Sequence, residues 1–166
     1  MRATILAAVL LRALVYALLG LAIETLWTAC YEAYVGSRPD SENPRVRNPL
    51  SRAERLRLAG RSYLWMMPIY GVGLLALEPV RDRVRAWHWG ARGVLWMTAI
   101  FAVEYLAGVV IKTLTGRCPW DYSSLRWSVH GYIRLDYAPL WMLVGLFIER
   151  VVDFVRAAEP ALRAAF

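Results

Sequence analysis

Only one lysine accompanies nineteen arginines, and there are two histidines and two cysteines in 166 residues. Cys30 and Cys118 form no CxxC and share no metal-ligand spacing, which argues against a disulfide framework or a zinc site; two free thiols are expected. The chain has no G-x-S-x-G, no H-E-x-x-H, no Walker A motif and no His/Cys cluster. No metal and no cofactor are therefore expected, no catalytic residue can be named, and active pumping would need a separate ATPase subunit. The net charge of +7 comes without a nucleic-acid-binding motif, so nucleic acid is set aside as a partner. The N-terminal "MRATILAAVLLRALVYALLG" lacks a clear A-x-A cleavage site and is interrupted by Arg12. It reads as a retained first membrane helix rather than a signal peptide.

What the sequence has in quantity is apolar and aromatic surface: 58% hydrophobic residues, with eight Trp and nine Tyr. A spanning helix needs ~20 mainly apolar residues. Four segments qualify, about 13–34, 62–80, 93–115 and 131–155, the first beginning near Ala3. The expected fold is all-α membrane, a single transmembrane domain over 1–166 in a multi-pass cell-membrane protein of the bacterial inner-membrane kind. Pro68 and Pro139 fall inside the second and fourth segments, where membrane helices tolerate proline if neighbours satisfy the freed carbonyl. Between the first two segments, "NPLSRAERLRLAG" reads as a short helix. Asn48 or Ser51 can cap it, Ser51 and Glu54 have capping-box spacing, and Pro49 suits a first turn. This helix either lies in the head-group layer or is solvated. The basic link 81–92 joins spans two and three. Arginines lying between apolar runs fit contact with anionic lipid. The side with both termini carries nine of the twenty basic residues and the other side eleven. That difference selects no orientation and keeps dual topology open.

The chain repeats itself. Glu24 and Glu104 are each followed twelve residues later by glycine (Gly36, Gly116) and fifteen later by proline (Pro39, Pro119). Gly60 and Gly131 each precede a proline by eight residues, and Glu78 and Glu149 each follow that proline by ten. Tyr70 and Trp141 follow the prolines by two. These coincidences, in one order, predict two helical hairpins as a parallel repeat, about 3–80 and 93–155, related by an axis along the membrane normal. Twelve residues of helix then place Glu24 and Glu104 roughly 18 Å before their glycines, inside the hydrocarbon and at similar depth. A carboxylate there costs at least ~2.5–3.5 kcal/mol and usually faces the bundle interior. The pair is either a proton- or cation-responsive site, or two structural glutamates satisfied by Tyr, Thr or Arg neighbours. If they approach each other, one should hold its proton.

The stretch "GRCPWDYSSLRWSVHG" (116–131) is the second hairpin's linker. Trp120, Tyr122 and Trp127 match an interfacial aromatic belt, with Asp121, Ser123 and Ser128 as turn caps. Alternatively the loop folds back over the bundle, with Asp121 meeting Arg61, Arg126 or Arg134. His130 is either a hydrogen-bonded surface residue or a proton carrier. Glu78 and Glu149 are expected to pair near the opposite interface with Arg81 and Arg150. The candidate site set is Glu24, Glu104, Asp121, Tyr122, His130, Arg134, Tyr70 and Trp141.

"EYLAG" (104–108), "WDYS" (120–123), "GYIRL" (131–135) and Trp141, together with Gly20, Glu24, Gly60 and "PIYGVG" (68–73), resemble the signature of a known family over roughly residues 14–150. It is the ABC-transporter type IV permease family, called CmpB-like, which includes the animal proteins named transmembrane protein 229. The chain departs from the family pattern at Leu64, Trp65, Ser128, His130 and Arg134. The resemblance implies a helical membrane fold and a link to transport. Three readings follow. The first is a permease-like or transport-associated subunit, oligomeric through Gly71, Gly73, Gly108 and Gly145. The second is a membrane-embedded enzyme on a lipid or isoprenoid substrate, with Glu24 and Glu104 as acid and base. The third is a structural or regulatory partner of another membrane protein.

Overall fold

The computed structural model describes residues 2–39 and 47–165. The chain is mostly helical (74%). Helix α1 spans Arg2–Val35, α2 Arg52–Leu56, α3 Met66–Val84, α4 Trp89–Thr115 and α5 Ala138–Ala165. Two small antiparallel ribbons decorate the linkers: β1 (Ser37–Pro39) with β2 (Arg47–Pro49), and β3 (Ser128–Val129) with β4 (Ile133–Arg134).

Two segments, Ile5–Val35 and Trp89–Thr115, are long and apolar enough to cross a membrane. Their surfaces show why: Leu6, Leu10, Leu14, Leu18, Ile23 and Leu26 on α1, and Val94, Leu106, Val110 and Leu114 on α4, are all exposed. An exposed apolar face of that extent is stable only against lipid or protein. Both helices end at a glycine in the left-handed region, Gly36 (φ 70°) and Gly116 (φ 78°). Gly36 N–H donates to Glu32 O and Gly116 N–H to Lys112 O, which closes each last turn.

The second and fourth segments start later than expected. Residues 131–137 are not α-helical: Gly131 lies in a turn, Ile133–Arg134 form β4, and a 3₁₀ turn at Leu135–Tyr137 leads into α5. Pro68 is the third residue of α3 and Pro139 the second of α5, not interior positions. A proline in the first turn loses nothing, because its N–H would have no partner there and its φ suits a helix. The interior prolines are Pro79 and Pro160. The link 81–92 shrinks to 85–88, since α3 runs on to Val84 and His88 caps α4 by accepting from Gly90 N–H.

α3 packs antiparallel on α1, and α5 antiparallel on α4. Close approach needs glycine. The ring of Tyr70 lies against Gly20, Trp96 against Gly145, and the carbonyl of Ala13 against Gly71. Gly108 accepts the ring of Tyr132, whereas Gly73 faces open space. Three of the four glycines expected at helix contacts are thus spent within the chain. α1 also touches α5, and the core sits where α1, α3 and α5 converge: Tyr16, Val152 and Val155 are fully buried, with Leu74, Leu75 and Ile148 packed around them.

The short helix α2 forms as its sequence indicates. Ser51 N–H donates to Glu54 Oε2 at 3.0 Å, and Glu54 N–H donates to Ser51 Oγ at 3.3 Å, a reciprocal capping box. Pro49 lies in β2 rather than in the helix. The hydrogen bond from Ser51 N–H, seconded by its hydroxyl, holds the Glu54 carboxyl below the usual carboxylate range. A depressed carboxylate stabilises above its unfolded pKa and ceases to do so as pH falls through its folded value. Ser51→Ala is expected to cost about 1 kcal/mol locally. It should appear as faster amide exchange at 52–57, and acidification below the ordinary glutamate range should reproduce that change in the unaltered protein. Unchanged exchange in Ser51→Ala would show the box to be inert.

Candidate polar site between the helices

Glu24 projects from α1 and Glu104 from α4. Glu24 Oε2 accepts from Ser62 Oγ at 2.6 Å and from Tyr70 Oη at 3.1 Å. Glu104 Oε2 accepts from Trp141 Nε1 at 3.1 Å. Every one of these donors is neutral. The other inward carboxylates differ. Glu32 is bonded by Arg61, Glu78 lies 3.1 Å from Arg12 Nε, and Glu149 lies 3.2 Å from Arg92 Nε. Glu159 is bonded by Arg12 as well. Among the described residues, Glu24 and Glu104 are the half-buried glutamates with no arginine.

Glu78 and Glu149 correct the expected pairing. Their partners are not the adjacent Arg81 and Arg150 but Arg12 and Arg92, brought in from the facing helix. Tyr16 Oη donates to Glu78 at 2.7 Å, and Trp96 Nε1 donates to Glu149 at 2.6 Å. Neither arginine Nε is aligned as a hydrogen bond, so charge proximity holds the arginine while the aromatic donor supplies the aligned bond. Arg81 turns to Asp153 and Arg156 to Asp82, which ties α3 to α5. Those groups and the Arg12–Glu159 pair lie at one end of the bundle, with the fully buried core beside them.

The 116–137 loop folds against the helices. Trp120 Nε1 donates to Tyr132 O at 2.9 Å, and Tyr122 N–H donates to Gly131 O at 2.9 Å. Asp121 Oδ1 accepts from Ser123 N–H at 2.9 Å and from its hydroxyl. Of the three arginines offered as partners for Asp121, Arg61 bonds Glu32, Arg126 lies over the Trp127 ring, and Arg134 pairs with Asp136. His130 occupies the left-handed region (φ 53°) ahead of Gly131 (φ 79°), and its Nδ1 is 2.8 Å from Tyr105 Oη, exposed at the loop's edge. A histidine there is uncommon but tolerated more readily than a branched residue.

Tyr122 turns inward. Burial first, then the nearby Glu104 carboxylate, raise its hydroxyl above the ordinary tyrosine range. Tyr70, from the first hairpin, also lies within electrostatic reach of Glu104 while donating to Glu24. The guanidinium of Arg134 sits 4.0 Å from the Tyr137 ring centre and 5.9 Å from that of Tyr122. Its charge goes to Asp136, whose carboxyl it holds below the usual range. Tyr137 stands perpendicular to Trp27, Tyr122 and Trp141, with centroids 6.4, 6.4 and 5.7 Å away. Tyr70 thus bonds Glu24 and reaches Glu104 electrostatically, Trp141 and Tyr122 lie by Glu104, Arg134 stands against Tyr137 and Tyr122, and His130 and Asp121 stay in the loop. Ser62, Tyr137 and Trp27 were not singled out from sequence. Arg12, Tyr16, Arg92 and Trp96 could have been, because they stand 80 residues apart (12 and 92, 16 and 96), as Glu24 and Glu104 do. Cys30 and Cys118 are both free, and burial pushes the Cys118 thiol up to about 11.

The family model described as "Putative ABC-transporter type IV" matches residues 12–162. No solved structure matches the chain.

Proposed function

Because the chain belongs to the ABC-transporter type IV family, we propose that it is a four-span, permease-like subunit whose working centre is the Glu24–Glu104 pair. The match over residues 12–162 supports a transport-associated membrane protein. Four spans are supported by packing. α3 and α5 carry too many charges to qualify by composition, but their charged turns face Arg12 and Arg92 on the apolar helices beside them. Two equivalent hairpins are supported by recurring contacts. Arg12, Tyr16 and Glu24 on α1 meet Glu78 and Tyr70; Arg92, Trp96 and Glu104 on α4 meet Glu149 and Trp141. The α1/α4 positions differ by 80 residues and the α3/α5 positions by 71 (70 and 141, 78 and 149). A separate ATPase would supply energy, since the chain has no Walker A motif.

One observation carries this reading: among the described residues both glutamates are met by neutral donors alone, while their neighbours at the other end are met by arginines. A carboxylate in lipid without a fixed counter-ion exchanges a proton or a cation with whatever passes it. Glu24→Gln and Glu104→Gln keep shape and acceptor while removing charge. A hydrogen bond to a charged group contributes about 1.5–3 kcal/mol, equivalent to roughly 10–100-fold in an equilibrium. Each variant is expected to reduce complementation of a strain lacking the protein by about that factor, with membrane abundance preserved and the melting temperature lowered by no more than the weakened hydrogen bonds account for. Full complementation by the double glutamine variant would refute the assignment.

A further inference from the structure

We propose that this centre takes an organic cation, a substituted ammonium group, held by the aromatic faces of Tyr122, Tyr137 and Trp141 and by the charge of Glu24 and Glu104. The inference rests on the reading that the two glutamates line a functional site, and it adds the ligand class. The charge balance comes first. Two inward carboxylates carry no arginine among the described residues, so the centre lacks positive charge that every comparable glutamate in the bundle has.

The lining comes second. Tyr137 is surrounded edge-on by Trp27 of the first hairpin and by Tyr122 and Trp141 of the second. Aromatic faces attract a cation within about 6 Å of the ring centre, and clustered rings are how quaternary ammonium groups are recognised. One cation already lies against two of these rings, Tyr137 and Tyr122. The Arg134 guanidinium lies 4.0 Å from Tyr137 and 5.9 Å from Tyr122, yet its carboxylate partner is the exposed Asp136 and not either inner glutamate. It is a tethered occupant, one that a diffusible cation with access to the glutamates can replace. The donor set points away from an inorganic ion. Among the described residues no three His, Cys, Asp or Glu side chains converge, whereas hard cations take six or more oxygen ligands or nearly so.

The full-length protein in nanodiscs free of choline lipid, titrated with choline and followed by tryptophan fluorescence, tests this. Choline should give a saturable change. Its uncharged carbon isostere, 3,3-dimethylbutan-1-ol, should bind at least about tenfold more weakly, because the rings act on charge. Tyr137→Phe, which keeps the π face, should bind like the parent, and Tyr137→Leu about tenfold more weakly. Arg134→Gln should tighten binding by removing the competitor. If Tyr137→Leu fails to fold, Tyr137→Phe, Arg134→Gln and the isostere still decide. No saturable signal, equal binding of the isostere, or weaker binding in Arg134→Gln overturns the proposal. Loss of complementation in Glu24→Gln and Glu104→Gln without choline binding would leave the permease-like reading standing and remove only the ligand class. Binding with complementation intact would do the reverse.

Discussion

Arg92→Met is expected to destabilise the protein by about 3–5 kcal/mol, the usual consequence of stranding one half of a buried ion pair. The Arg92 and Glu149 side chains are 19% and 11% exposed, so solvent screens little of the loss. Trp96 Nε1 would still donate to Glu149 at 2.6 Å, but one neutral donor does not offset a buried carboxylate. The double variant Arg92→Met/Glu149→Leu should recover most of the stability, because apolar replacement of both partners is often neutral or better. Thermal unfolding in detergent micelles measures both. Arg12→Met should cost at least as much: Arg12 serves Glu78 on α3 and Glu159 on α5, so its removal strips Glu78 of its cation and leaves Glu159 with Arg163 at 3.6 Å. An Arg92→Met protein within about 1 kcal/mol of the parent would show that these pairs behave as solvated surface contacts.

The second large effect is steric. A Cβ on Gly145 would lie 2.1 Å from Trp96 Cβ. Both atoms are fixed to helix backbones, so no rotamer change relieves the overlap and α4 must move from α5. Over-packing of this kind costs about 1–3 kcal/mol and occasionally more. Alanine returns about 1 kcal/mol in helix propensity over glycine, which the clash outweighs. Gly145→Ala should therefore lose about 2 kcal/mol net and disturb the Trp96–Glu149 bond. Gly73→Ala, with nothing within 4 Å of its Cβ, is the control and should be neutral or slightly stabilising. Equal melting temperatures for the two variants would mean that α4 and α5 pack less closely than described.

Much of the helical frame was legible because hydropathy is a local property. α1 and α4 appear as long, mainly apolar runs with few charges, and Gly36 and Gly116 at their ends adopt the left-handed cap. Ser51 and Glu54 announced α2 for the same reason: a capping box needs two residues three apart and nothing distant. The starts of α3 and α5 were misplaced because Pro68 and Pro139 have opposite meanings in a first turn and in a helix interior. Spacing alone does not choose between these; the 3₁₀ turn at Leu135–Tyr137 does.

The site divided in the same way. Regular spacing singled out Glu24, Glu104, Tyr70 and Trp141, and the hydrogen bonds join Tyr70 to the first glutamate and Trp141 to the second. It offered Arg81 and Arg150 to Glu78 and Glu149 because they are near in the chain, while the folded protein brings Arg12 and Arg92 from across the bundle. By itself, then, the sequence determined the membrane class, the apolar helices and the family, all properties of residues read along one dimension. Only the tertiary structure decided which carboxylates receive an arginine and which receive neutral donors, because a counter-ion is chosen by distance in space, and helix packing, not chain order, sets that distance.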